Sequence, residues 1–98
     1  MTEPTHTTEI SVRLPHSLRH LAGGRAAVRV SGATVGAAIE ELINWYPALR
    51  SRLKDAGGGL RSWMLFFLND EDIRAREGEQ TPVADGDVLA IVPVAEGG

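Results

Sequence analysis

Hydrophobic and polar residues alternate in two segments near the start of the chain, which predicts two half-buried strands. The apolar positions are Ile10, Val12 and Leu14 in the first segment and Ala26, Val28 and Val30 in the second. Pro15 ends the first strand, and residues 16–24 are expected to form a loop that finishes on two glycines. The two strands are therefore expected to form a hairpin-like pair.

A helical pattern follows the second strand. Apolar side chains recur at spacings of three and four residues, which places them on one stripe of a helix: Val35, Ile39, Leu42, Ile43 and Tyr46. Thr34 is the expected N-cap and Pro47 ends or bends the helix, so residues 34–46 are predicted to be helical. Residues 48–59 are predicted to form a short helical turn and then a flexible loop, because they close on three glycines.

Residues 63–68 are apolar at every position, unlike the alternating strands. They predict a third strand, followed by a turn at Asn69 and Asp70 and a short return strand over residues 71–74. A turn at Asp85 and Gly86 precedes the last predicted strand, residues 88–92.

One helix can cover only one face of a small sheet, so alternate side chains of residues 63–68 must face outward. An exposed apolar patch usually marks an interface, and this segment is the predicted partner-docking surface. The outward set is either Met64, Phe66 and Leu68 or Trp63, Leu65 and Phe67, and the pattern does not distinguish them. The alternative is that the loop of residues 50–61 folds over that face.

The order strand, strand, helix, strand, strand predicts an α+β fold with a mixed sheet of four to five strands and one main helix on one face. The apolar last strand is expected to lie centrally, beside the first. Residues 1–8 are expected to be mobile, residues 9–93 to form one domain, and residues 94–98 to form a flexible tail.

Composition narrows the function. With no cysteine, disulfides, thiolate metal sites and cysteine nucleophiles are excluded. The net charge is +3 over residues 1–61 and −6 over residues 62–98, which disfavours nucleic acid and favours a protein partner with a basic face. No apolar run is long enough to span a membrane, and we expect a cytoplasmic protein.

No catalytic or metal site is predicted from the residue pattern. His6, His16 and His20 lack acidic or cysteine partners at metal-ligand spacing and are expected to be surface residues. The sharpest feature is the tail that follows the last strand, Val94, Ala95, Glu96, Gly97 and Gly98. A tail that ends without side chains can enter a narrow channel and present a carboxylate to another enzyme.

Three segments together resemble the MoaD/ThiS group of ubiquitin-like sulfur carriers: "TVGAAIEELINWYP", "LNDEDIR" and "TPVADGDVLAIVPVAEGG". The long loop before residue 64 is most similar to that of CysO-type carriers of actinobacterial cysteine biosynthesis. The resemblance implies the β-grasp fold. It also implies that an E1-like enzyme uses ATP to adenylate Gly98 and that the product is a thiocarboxylate, with Gly97 as a slim penultimate residue. Glu96 departs from the family, whose tails often have a small residue there.

The leading hypothesis is thus a sulfur carrier that is a protein cosubstrate and not an enzyme, with no bound cofactor. Its expected partners are the activating enzyme, a sulfur-accepting synthase of the cysteine synthase or molybdopterin synthase large-subunit type, and a metalloprotease that releases the product. Cysteine synthesis leads, ahead of molybdopterin, thiamin, thiosugar or tRNA thiolation. A ubiquitin-like protein modifier and a structural interaction module remain as alternatives.

Overall fold

The first and last strands lie side by side at the centre of the sheet. In the computed structural model, which describes residues 8–94, five strands are arranged in the order β2-β1-β5-β3-β4. Their bounds are Glu9–Arg13 (β1), Ala27–Ser31 (β2), Met64–Leu68 (β3), Glu71–Asp72 (β4) and Val88–Pro93 (β5). β5 is parallel to β1 and antiparallel to β3, so the sheet is mixed and the predicted central position of the last strand is confirmed.

The main helix, α1 (Val35–Trp45), covers one face of this sheet. Thr34 caps it as predicted, since its Oγ1 accepts a hydrogen bond of 3.1 Å from the backbone N–H of Ala37. The apolar stripe packs against the inward-facing side chains of the strands, among them Ile10, Val12, Phe66, Leu89 and Ile91. A mixed sheet with one main helix on one face is the β-grasp arrangement that the resemblance implied.

The prediction of a loop after β1 is wrong. Residues His16–Ala22 form a 3₁₀ helix that buries Leu18 and Ala22 in the core. Gly23 ends this helix at φ 66°, a left-handed conformation that costs glycine little, and its N–H donates to the carbonyl of Arg19.

The segment after α1 is helical, as predicted, before it becomes a loop. A 3₁₀ turn, Pro47–Leu49, continues into α2 (Arg50–Leu53), and Leu49 and Leu53 are fully buried. In the following loop the carboxylate of Asp55 accepts hydrogen bonds from the N–H groups of Gly57 and Gly59, at 2.9 and 3.0 Å.

The return strand is shorter than predicted. β4 has only two residues, and the chain then turns into a 3₁₀ helix, Ile73–Ala75, because the Asp72 carboxylate accepts from the backbone N–H of Arg74 at 2.9 Å. A further 3₁₀ turn, Gly78–Gln80, leads to Thr81, which is fully buried and whose carbonyl accepts from the N–H of Val35 at 2.9 Å. The connection to β5 is thereby fixed to the start of α1.

Candidate partner-docking site

β3 presents its two sets of side chains to different surroundings. Met64, Phe66 and Leu68 face α1 and are 9%, 3% and 3% exposed. The opposite set faces outward: Leu65 and Phe67 are half-buried, and Trp63, which precedes the strand, is 51% exposed. The structure therefore shows which of the two predicted sets faces outward, and it is Trp63, Leu65 and Phe67.

The outward side chains of β3 continue onto β5. Leu65 lies opposite Val92 and Phe67 opposite Ala90 in the antiparallel ladder, so their side chains are neighbours on the same face. We call the resulting surface the open-face patch: Trp63, Leu65, Phe67, Ala90 and Val92. Val92 is 40% exposed. The patch is thus a continuous apolar strip on the face of the sheet opposite α1.

The loop of residues 50–61 does not cover this strip, contrary to the alternative considered from the sequence. Leu53 is buried in the core, and the next residue, Lys54, donates to the Glu40 carboxylate of α1, so the loop packs on the helix side. Its last residue reaches the open-face patch: the guanidinium of Arg61 lies 4.8 Å from the centre of the Trp63 ring, within range of a cation–π interaction.

Polar residues border the open-face patch at the end farthest from Trp63. A depression of about 280 Å³ is lined by Arg13, Phe67, Asn69, Asp70, Val88 and Ala90. The amide side chain of Asn69 donates to Asp87 and accepts from the N–H of Val88, each at 2.9 Å, which joins the β3–β4 turn to the start of β5. The positive φ of Asn69 and Asp70, 49° and 74°, suits these residue types.

The structure also shows where the carboxyl-terminal tail leaves the sheet. The N–H of Val94 donates to the carbonyl of Trp63 at 2.7 Å, so the ladder with β3 extends to a residue that the sequence analysis assigned to the tail. Because N–H groups alternate along a strand, the nitrogen of Pro93 points towards β1, whose pairing with β5 stops at Ala90. Pro93 therefore costs no ladder bond, and the tail starts beside Trp63.

The predicted reactive and threading residues Ala95, Glu96, Gly97 and Gly98 lie outside the described residues. Within residues 8–94 there is no group of three or more His, Cys, Asp or Glu side chains that could hold a metal ion. No helix in that same part of the chain is long and apolar enough to cross a membrane.

Ion pairs were not predicted from the sequence. Asp72 and Arg74, at the rim of a depression of about 290 Å³ beside β3, form an exposed pair with an N–O distance of 2.7 Å. The side-chain hydrogen bond between them lowers the pKa of Asp72 and raises the pKa of Arg74. Because Asp72 lies opposite Phe67 in the β3–β4 ladder, this pair borders the open-face patch at the edge of the sheet.

The comparison with known proteins identifies the fold and the family together. Residues 12–98 match the ThiS family. The chain belongs to the ThiS family. This match includes the whole open-face patch and the tail.

Three relatives illustrate the ThiS-family assignment. The sulfur carrier protein CysO of Mycobacterium tuberculosis is 38% identical over 91 residues, which is 91% of this chain and 98% of CysO, and its crystal structure superposes with a TM-score of 0.82. CysO of Amycolatopsis orientalis, in a crystal structure of its complex with BexX, is 34% identical, with a TM-score of 0.84 over 91% of this chain and 99% of that one. Small archaeal modifier protein 1 of Methanosarcina acetivorans is 30% identical, with a TM-score of 0.86 over 96% of this chain and all of that one.

These similarities confirm the β-grasp fold and the resemblance drawn from the sequence. The chain is a ubiquitin-like protein of the sulfur-carrier type, similar to CysO.

Proposed function

We propose that this ThiS-family protein carries sulfur as a thiocarboxylate on Gly98 and delivers it to a biosynthetic enzyme, with cysteine synthesis as the leading pathway. The observation that carries the proposal is the position of the tail, which starts from a hydrogen-bonded strand end directly beside an exposed apolar patch. A partner enzyme that binds the patch would therefore hold the tail close to the active site of that enzyme. The 38% identity to a sulfur carrier protein, CysO, supports this assignment and the cysteine pathway.

The chemistry requires activation by another protein. A carboxylate is a poor electrophile, so an E1-like enzyme would join Gly98 to the AMP part of ATP and release pyrophosphate. Hydrosulfide released by a sulfide donor would then attack the acyl carbon and displace AMP, which leaves a thiocarboxylate. The carrier supplies only the acyl group and a docking surface. We therefore propose that it is a cosubstrate and not a catalyst, and that it binds no cofactor of its own.

The open-face patch is the proposed contact with the activating enzyme. It contains two partly exposed aromatic side chains, Trp63 and Phe67, and aromatic residues are enriched at the centres of protein interfaces. Arg61, stacked on Trp63, and Arg13, beside Ala90, place positive charges at two borders of the patch. The complex of A. orientalis CysO with BexX shows that a similar carrier binds a partner protein.

Further partners follow from the fate of the thiocarboxylate. We propose a sulfur-accepting synthase, of the cysteine synthase or molybdopterin synthase large-subunit type, which uses the same tail. If the synthase attaches its product to the carrier, a metalloprotease would be needed to release that product. All of these steps are proposed to take place in the cytoplasm.

Intact mass spectrometry tests the proposal. The purified protein is incubated with the activating enzyme of the source cell, ATP and a sulfide donor. We expect a mass increase equal to the replacement of one oxygen by sulfur, located on the carboxyl-terminal peptide by fragmentation. A matched variant without Gly98 should keep its fold and show no increase. Equal modification of both proteins would contradict the proposal.

Protein modification is a second candidate, because the chain is also similar to a small archaeal modifier protein. Isopeptide-linked Gly98 on lysines of cellular proteins would favour it. The chain itself would be a poor acceptor, since Lys54 is its only lysine and is 9% exposed and paired with Glu40 and Glu79. A purely structural module, the third hypothesis, would be indifferent to loss of Gly98.

A further inference from the structure

The sheet has a second surface suited to a partner, at the edge farthest from β3 and β4. β2 is an edge strand and pairs only with β1 among the described residues. The bonds from Leu14 to Ala26 and from Gly32 to Thr8 show that even-numbered residues of this segment direct their backbone groups towards β1. The backbone N–H and C=O groups of Ala27, Arg29 and Ser31 therefore point away from the sheet.

A groove runs beside this free edge. It has a volume of about 460 Å³ and is lined by Arg25, Ala27, Val28, Arg29, Trp45 and Tyr46. Because α1 runs back along the sheet after β2, its carboxyl end lies next to the start of β2 and supplies the two aromatic rings. Trp45 is 64% exposed, the largest exposure among the exposed large hydrophobic residues of the described chain, and Glu41 fixes its indole N–H at 3.0 Å.

The charged side chains that line the groove are both arginines, and the carboxylates of Glu9 and Glu41 contact the groove residues Arg29 and Trp45. Arg25 has no ion-pair partner within residues 8–94, and Arg29 pairs with Glu9 at 2.8 Å while 75% of its side chain stays exposed. These charges also disfavour a second copy of the chain as the occupant, because pairing two β2 edges would bring Arg25 and Arg29 of both copies close together.

We propose that the groove between β2 and the end of α1 binds an extended acidic peptide segment of a partner protein by adding a strand to β2. Outward N–H and C=O groups would hold the peptide backbone, Trp45 and Tyr46 would contact an apolar side chain, and Arg25 and Arg29 would attract flanking carboxylates. β2 lies two strands from β5, about 10 Å across the sheet. A partner on this edge would thus leave the open-face patch and the tail accessible.

A titration followed by NMR tests the proposal with the full-length protein. The probe is a synthetic peptide of alternating isoleucine and valine residues flanked by two glutamates at each end. We expect saturable shifts at the amides of Ala27, Arg29 and Ser31 and at the Trp45 indole, with submillimolar affinity. A matched peptide with lysines in place of the glutamates should bind about tenfold more weakly.

Variants separate the contributions. Arg29→Pro removes one outward N–H and leaves the β1 ladder intact, and Trp45→Ala removes the aromatic contact, so each should weaken binding about tenfold or more. Arg25→Glu should also weaken it, whereas Arg52→Glu, an equal charge change on exposed α2, and Trp63→Ala, on the open face, should not. Trp45→Ala and Arg25→Glu keep the test valid if Arg29→Pro fails to fold.

Four results would overturn the proposal. They are the absence of saturable binding, equal binding of the lysine peptide, shifts confined to the open-face patch, and concentration-dependent shifts at β2 without peptide. The last result would assign the edge to a second copy of the chain.

Discussion

The two faces of β3 carry equally apolar side chains, but one face is buried against α1 and the other is partly exposed. Phe66 points towards α1 and is 3% exposed, whereas its neighbour Phe67 points to the open face and is half-buried. The residue type is the same, and only the alternation of the strand separates them. A uniformly apolar strand in a small sheet with one main helix therefore buries one set of side chains in the core and leaves the other set partly exposed, and we propose that the exposed set binds a partner.

Removing Phe66 should have the largest effect on stability. Phe66→Ala leaves a cavity between the sheet and α1 and is expected to lower the free energy of unfolding by about 3 to 5 kcal/mol. Phe67→Ala removes less buried surface and should cost no more than about half as much. Denaturant unfolding followed by circular dichroism measures both free energies. Equal losses of stability in the two variants would show that the two faces of β3 contribute equally to folding.

The opposite ranking is expected for binding. Phe67→Ala should weaken the complex with the activating enzyme by about 1 to 3 kcal/mol, provided that Phe67 is a central anchor of the interface. Isothermal titration calorimetry gives the affinity. Trp45→Ala, which removes another exposed aromatic side chain away from the patch, is the matched control and should bind as well as the wild type. Unchanged affinity for Leu65→Ala and Phe67→Ala would remove the patch as the docking surface.

A smaller, pH-dependent effect on stability is expected from the ion pair between Glu40 of α1 and Lys54. The hydrogen bond from Lys54 lowers the pKa of Glu40 below its ordinary value of 4.5. A lowered pKa means that the ionised carboxylate stabilises the fold above about pH 4.5, and that this contribution is lost as the pH falls through the folded-state pKa. Since Glu40 is 43% exposed, the contribution should be below about 1 kcal/mol.

Glu40→Gln tests this assignment. The variant should be slightly less stable than the wild type at pH 7, and the difference should shrink below about pH 4.5, as measured by urea unfolding across that range. A difference that stays constant with pH would show that the Glu40 charge is not responsible.

The sequence predicted the strands and α1 well where alternation or a helical stripe was present. The same rules missed the helix His16–Ala22, although Leu18, Leu21 and Ala22 have helical spacing, because the flanking proline and glycines indicated a loop. The same rules ended the last strand at residue 92, one residue before Pro93, because a proline normally argues against a strand. The structure includes Pro93 because its nitrogen faces away from β3 and no ladder bond is lost.

The candidate site was predictable in composition but not in orientation. An uninterrupted apolar run has no period, so the outward set Trp63, Leu65 and Phe67 followed only from the position of α1. The pairs of Lys54 with Glu40 and of Trp45 with Glu41 join polar side chains, and a hydrophobic pattern carries no signal for such pairs. The groove beside β2 was missed because the packing of α1 on the sheet brings together residues 25–29 and the end of α1, which are distant in sequence.

The central claim is that the open face docks and the tail reacts, and kinetics of activation test it most directly. ATP–pyrophosphate exchange by the activating enzyme is measured against carrier concentration for the wild type, Phe67→Ala and the variant lacking Gly98. We expect Phe67→Ala to raise KM and to recover the full rate at high concentration, whereas loss of Gly98 should abolish exchange at every concentration. Exchange that survives loss of Gly98, or a Phe67→Ala defect that persists at saturation with KM unchanged, would contradict it.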